Sequence, residues 1–147
     1  MRQPGCVFCD IVAGDLSAHV VLDDDRALAF LDVRPVFPGH CLLVPRDHYE
    51  TLGDLPADVV GDLFLHAQRL AVAVEVAMGA AGTFVAMNNR ISQSVPHAHV
   101  HVVPRRPKDG LRGFFWPRQK YEGDEAMAAA AAAVRKALQD GCGAESR

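Results

Sequence analysis

Three histidines at alternate positions, His97, His99 and His101, stand in a run whose intervening residues are Ala98, Val100 and Val102. A β-strand sends successive side chains to opposite faces, so this run predicts a strand over 97–103 with the imidazoles on one face and packing residues on the other. Pro96 and Pro104 bracket it, and Gln93 and Ser94 bring an amide and a hydroxyl just upstream. If that face were plain core, its ring nitrogens would need partners, each costing about 1–3 kcal/mol if left without one. A polar pocket at a strand end is the better reading. Two chemistries suit it: a metal-binding strip, since imidazole ligates zinc, nickel or copper, and nucleophilic histidine chemistry.

The rest of the chain sets the frame for that pocket. With 147 residues, half of them hydrophobic, it suits a single domain over 1–147 with one core. A net charge of −3 lacks the basic footprint of a duplex nucleic-acid binder. Arg105, Arg106 and Lys108 make one small basic cluster beside the triad, so small anionic ligands fit better than polymers. No apolar run reaches the roughly 18 residues that cross a bilayer, and Met1–Gly5 lacks the apolar stretch of a signal peptide. A cytoplasmic protein without membrane partners is expected. There, Cys6-x-x-Cys9 reads as a metal clip rather than a redox pair, because nothing before Cys6 is long enough for the strand a redox motif follows. Cys41 and Cys142 read as buried or incidental thiols. A closed structural zinc site takes four ligands and the chain has no second CxxC, so histidines must complete it.

Apolar spacing predicts a short helix over 6–12 ended by Gly14. A hairpin follows, with 20–22 and 26–31 flanking the solvated turn Asp23-Asp24-Asp25. After the loop 35–39, His40 opens a strand that Pro45 ends. Asp54 is the expected N-cap of a long helix that reaches about Met78, and His66 within it carries no assigned role. Residues 83–87 form the fourth strand and 88–95 the loop before the triad. The glycine-hinged, aromatic segment 108–118 suits either a cover for the pocket or a packing arm at a subunit interface. The alanine-rich stretch 124–138 predicts a helix. The fold class is α+β: an antiparallel five-stranded meander with one long helix, a short N-terminal helix and a C-terminal helix. Such a sheet leaves an edge unpaired, and a homodimer would cover it.

Gln93-Ser94-Val95-Pro96-His97-Ala98-His99-Val100-His101 resembles the histidine-triad (HIT) family of nucleotide hydrolases and transferases. Cys6-Val7-Phe8-Cys9-Asp10-Ile11, Ala29-Phe30-Leu31-Asp32-Val33-Arg34-Pro35 and Pro38-Gly39-His40-Cys41 are similar to further family landmarks, in the family's order. The resemblance spans about residues 6–106, the core of the expected domain, with 107–140 beyond it. It implies that His99 is a nucleophile, that His101 meets the phosphate oxygens, that Ser94 stands on the leaving-group side, and that His40 and His97 orient the site. It further implies that Asp32 binds the ribose, that Phe8, Ile11, Phe30 and Val33 surround the base, and that Gln93 and Asn88, or Asn89 in its place, contact the nucleotide. Ile91-Ser92 stand where usual members carry a longer, glycine-bearing segment. Like-charge repulsion among the imidazoles would keep the middle ring neutral. The implied reaction releases a nucleoside monophosphate, AMP or another purine nucleotide, from a phosphoramidate or a dinucleoside polyphosphate. Alternatives are a nucleotidyl transferase or phosphorylase, and a nucleotide- or metal-binding adaptor without turnover. Some bacterial members pair the CxxC with the first triad histidine and a histidine after the Gly-His strand, which implies a zinc site of Cys6, Cys9, His48 and His97.

Overall fold

The sheet of the computed structural model is antiparallel and runs in the order β1 (Val20–Asp23), β2 (Ala27–Leu31), β3 (Cys41–Pro45), β5 (Val100–Arg105), β4 (Gly82–Ala86). Residues 1–111 and 119–140 are described. The chain divides into two units, Met1–Pro107 and Lys108–Arg147, and the sheet belongs to the first.

The meander expected from the sequence holds through β3. The chain then crosses by α2 (Ala57–Met78), so that β4 takes the edge and β5 returns to the middle. Burial accounts for this order. Val100, Val102 and Val103 of β5 are buried, as an inner strand requires, whereas β4 is mostly half-buried and exposes Val85.

Alternation sorts the strand residues into two layers. Ala27, Ala29, Leu43, Ala98, Val100 and Val102 pack with Leu63, Ala67, Leu70 and Val74 of α2. Leu28, Phe30, Leu42 and Val44 face the other way and pack with Cys6, Phe8 and Cys9 around α1 (Val7–Ala13). With Ala98, Val100 and Val102 committed to α2, His97, His99 and His101 fall on the α1 side.

The hydrogen-bonded ladder begins at Val100 rather than at His97, because the Ala98 N–H donates to the Tyr49 carbonyl (2.6 Å) instead of to a strand neighbour. Pro45 ends β3, whereas Pro104 lies within β5, one residue before its end. β3 and β5 pair only over Cys41–Leu43 and Val100–Val102, so each proline's missing N–H falls where its strand has a neighbour on one side only.

Local chemistry sets the remaining boundaries. Cys6 caps α1 by accepting the Cys9 N–H on its sulfur, and Gly14 closes the helix at φ 81°. Gly39 turns the chain into β3 at φ 95°, where a Cβ would stand 2.6 Å from Met78 Cγ. Asp54 is not the N-cap of α2. Its carboxylate accepts from the Thr51 N–H and hydroxyl and caps a 3₁₀ turn over Leu52–Asp54, while Pro56 precedes the helix. His66 is buried on α2 with Nε2 3.4 Å from Asp24, so one of the three turn aspartates is also a helix partner.

In the second unit, α3 spans Asp124–Gln139, with Lys136 paired to Asp140 one turn on. Residues 112–118 of the aromatic segment and Cys142 lie outside the described residues.

Candidate active site and metal centre

His97, His99 and His101 share a face but serve two centres. His99 and His101 open into a cleft of about 640 Å³ whose lining also includes Phe8, Ile11, Phe30, Asp32, Val33, Leu42 and Ser94. The register Phe30↔Leu42↔His101 lines up three of these across β2, β3 and β5, and Asp32 follows the end of β2. Val33 borders the cleft but is 88% exposed, so it sits at the mouth and not in the wall.

The heavy-atom network fixes which ring nitrogens carry protons. The Val36 N–H donates to His40 Nδ1 (3.1 Å), so a neutral His40 carries its proton on Nε2 and donates to His101 Nδ1 (3.0 Å). That leaves His101 with an Nε2–H. His99 Nδ1–H donates to the His97 carbonyl (2.7 Å), which leaves the Nε2 lone pair free. Burial, more than repulsion between rings, keeps these imidazoles neutral: it lowers His40, His97 and His99, and holds His101 at about 4 with His99 and His40 adding to the effect. Asp32 opposes burial at His40, His99 and His101, and its carboxylate stands 3.7 Å from His40 Nδ1 while accepting the Arg34 N–H (2.8 Å).

This sets a pH dependence. A histidine whose folded value is lowered leaves the unfolded chain binding more protons between about pH 4 and 6.5, so stability falls as pH drops through that window. His101 contributes a loss on the order of 1 kcal/mol by pH 5 after allowance for solvent screening. The melting temperature is expected to fall between pH 6.5 and 4.5, and His101→Gln to flatten that fall. An equal slope in both proteins would contradict it.

Gln93 and the asparagines do not line the cleft. Gln93 accepts the Arg90 N–H and donates to the Glu50 carbonyl (both 2.7 Å), Asn88 donates to the Ser92 carbonyl, and Asn89 accepts the Leu52 N–H. These bonds hold a loop that places Arg90 (φ 66°) and Ser92 (φ 60°) in the left-handed region, where glycine is the easier residue. Side-chain bonds thus take the place of the missing glycine. Arg105 and Arg106 lie at the far end of β5, where the Arg106 guanidinium meets the Met78 carbonyl, so these two arginines are beside the triad in sequence only. Among the described residues, the charged ones lining the cleft are Asp32 and Arg34. Arg34, Leu16, Ser17 and Val95 also line it without having been singled out. Arg34 was readable as the residue two beyond Asp32, while the others carry no signal beyond their fold neighbours.

His97 turns away from the cleft. Its Nε2–H donates to the Pro45 carbonyl (2.9 Å), so its free Nδ1 faces Cys6 Sγ (3.5 Å) and Cys9 Sγ (3.6 Å), and Cys9 Sγ lies 3.5 Å from His48 Nδ1. All four ligand atoms lie within 4.8 Å of one another. Zinc bonds of about 2.3 Å to sulfur and 2.0 Å to nitrogen at tetrahedral angles put S and N about 3.5 Å apart, which is the spacing found. The Gln3 and Cys9 N–H groups also point at Cys9 and Cys6 sulfurs, as donors that steady thiolates do. Burial pushes the Cys6 thiol up, so a bound cation has to displace its proton.

Comparison with known proteins matches these features. The HIT domain family model covers residues 13–108. An uncharacterized HIT-like protein of Saccharolobus solfataricus is 39% identical over 118 residues, 78% of this chain and 85% of the relative. The chain belongs to the HIT-domain family. The adenosine 5′-monophosphoramidase of Saccharomyces cerevisiae is 29% identical to this HIT chain, covering 82% of it and 75% of the yeast protein. A HIT family structure from Bacillus subtilis superposes with a TM-score of 0.82 at 30% identity, covering 90% of this chain and 96% of that one. A zinc-bound histidine triad family protein of Mycobacterium smegmatis superposes at 0.70 and 36% identity, covering 90% and 97%. Among the described residues of this HIT protein no helix is long and apolar enough to cross a membrane.

Proposed function

We propose that this HIT protein is a nucleotide hydrolase. It releases a nucleoside monophosphate, AMP in the first instance, from phosphoramidate or dinucleoside polyphosphate substrates through a nucleotidyl-His99 intermediate. The observation that carries the reading is His99 itself: neutral, with Nδ1 committed to the His97 carbonyl and Nε2 free, at the wall of a largely apolar cleft. Phe8, Ile11, Phe30 and Val33 take the base and the Asp32 carboxylate takes the ribose hydroxyls. His101 donates from Nε2 to a phosphate oxygen, with His40 holding its tautomer, and Ser94 borders the leaving group. His99 Nε2 bonds to phosphorus as the P–N or P–O bond breaks, and the departing group takes up a solvent proton relayed by the Ser94 hydroxyl. Water then adds to phosphorus and returns a proton to solvent as the N–P bond breaks, which leaves AMP and neutral His99. Cys6, Cys9, His48 and His97 would hold a structural zinc, which would tether α1. The free thiols of Cys6, Cys9 and Cys41 support a cytoplasmic location.

Incubation with adenosine 5′-phosphoramidate and diadenosine polyphosphates, with and without added phosphate, tests this by nucleotide chromatography. Release of AMP is expected. Phosphate-dependent release of ADP makes the protein a phosphorylase, and binding without turnover makes it an adaptor.

The edge strand β4, with Val85 exposed, is the proposed seam of a homodimer. Light scattering at micromolar concentration should give twice the chain mass, and a monomer would contradict the pairing.

A further inference from the structure

The four-ligand centre and the nucleotide cleft meet in two residues. His97 is one. Its ring reaches both cysteine sulfurs, while its carbonyl takes the proton of His99 Nδ1. The same backbone lies outside the β5 ladder, so the ladder bonds that fix Val100–Arg105 do not fix residue 97. What holds it is the His97 N–H on the Val95 carbonyl (2.8 Å), the Ala98 N–H, which shares a peptide plane with the His97 carbonyl, on the Tyr49 carbonyl (2.6 Å), the ring N–H on Pro45, and whatever the ring's other nitrogen binds.

Phe8 is the second. It sits between Cys6 and Cys9, and its ring stands edge-on to His97 (6.0 Å), His99 (5.2 Å) and Phe30 (5.5 Å) while forming part of the cleft wall. The helix that carries it has seven residues, too few to persist on helix propensity alone, so its position depends on packing and on its tether.

We propose that metal loading of Cys6, Cys9, His48 and His97 sets the state of the nucleotide site, by fixing the His97 carbonyl that orients His99 and the Phe8 wall that receives the base. This rests on the zinc centre and the nucleotide reading given above, and goes beyond both by making one a condition of the other. With metal, His99 keeps a single tautomer, protonated on Nδ1, and the cleft is formed. Without it, residue 97 and the first turn of α1 sample other positions, the Nδ1–H loses its acceptor for part of the time, and nucleotide finds fewer competent molecules. If the competent fraction falls to about a tenth, the apparent Kd for AMP rises about tenfold. Reciprocity requires AMP to tighten zinc binding by the same factor.

The test is an AMP titration of zinc-loaded and chelator-stripped full-length protein by calorimetry, with long-range ¹⁵N spectra of the His99 ring in each form. The amide signals of Val100–Arg105 report that the sheet is intact. If stripping disperses them, Cys9→Ser, shown by metal analysis to carry no zinc and altered outside the cleft lining, replaces the stripped protein in both measurements. The expected result is AMP affinity about tenfold lower without zinc and a His99 ring moving from one tautomer to a mixture. Equal AMP affinity in the two forms, an unchanged His99 tautomer, or no uptake of zinc would overturn the coupling. AMP binding to neither form would instead overturn the nucleotide reading.

Discussion

His99→Gly is expected to lower turnover of the best phosphoramidate or polyphosphate substrate at least about 10³-fold while leaving AMP affinity within a few-fold. The asymmetry follows from what the ring does. Its Nδ1 is spent on the His97 carbonyl, so the sole chemical service left to the ring is the Nε2 lone pair. Binding is spread over other groups: Asp32 at the end of β2, the Phe8–Phe30 pair, and His101, whose Nε2–H stays oriented because His40 donates to its Nδ1 independently of His99. The variant also removes a ring that stands 5.2 Å from Phe8, so some stability is lost, and comparison is made well below its melting temperature. Rates and AMP affinities are measured on the same preparations. Turnover close to the parent rate would eliminate His99 as the covalent group. Loss of AMP binding together with turnover would show that the ring shapes the pocket rather than attacks phosphorus.

The period-two pattern at 97–102 was enough to place the three imidazoles on one face, because Ala98, Val100 and Val102 left no choice of which side met α2. The same logic of apolar spacing found α1, α2 and the five strands. What it did not reach were interactions between residues far apart in sequence. The position of β5 between β3 and β4 depends on which strand can be buried on both faces, and local periodicity does not rank strands against each other. Asp54 looked like a helix cap because it precedes Leu55-Pro56, yet Thr51 offered it two donors one turn earlier. Gln93 and the two asparagines were nucleotide contacts by the family resemblance alone, and local spacing did not show that their side chains bond to the loop through Arg90 and Ser92 and to Glu50 and Leu52. Neutral imidazoles were expected from crowding of like charges. The larger cause is burial, which depends on the whole fold.

Removal of metal is expected to have the largest effect on stability. Protein purified without added zinc should carry close to one zinc per chain. Stripping it should cost about 4 kcal/mol when zinc stands near 1,000 times its Kd, which for a unit of this size lowers the melting temperature by about 10–20 °C. The geometry underlies the size of the effect. S···N separations of 3.5–3.6 Å already match a tetrahedral ion, so little reorganisation opposes binding. Once the ion is gone, a buried Cys6 thiol and the free Nδ1 of a fully buried His97 are left with only each other and Cys9 as partners, which restores a small part of what the ion supplied. Cys9→Ser should lose metal more completely than His48→Ala. Cys9 Sγ stands between both histidines and is held by the Gln3 N–H, whereas His48 is the half-buried member at the rim. Affinity should also weaken as pH falls, because the cysteine protons compete with the ion and burial has raised the Cys6 thiol. Zinc by atomic absorption, with melting curves for parent, Cys9→Ser and His48→Ala in the presence and absence of chelator, measures all of this. A chelator-insensitive melting curve with sub-stoichiometric zinc after reconstitution under reducing conditions would show that the two cysteines are ordinary core residues and that His97 faces them only by packing.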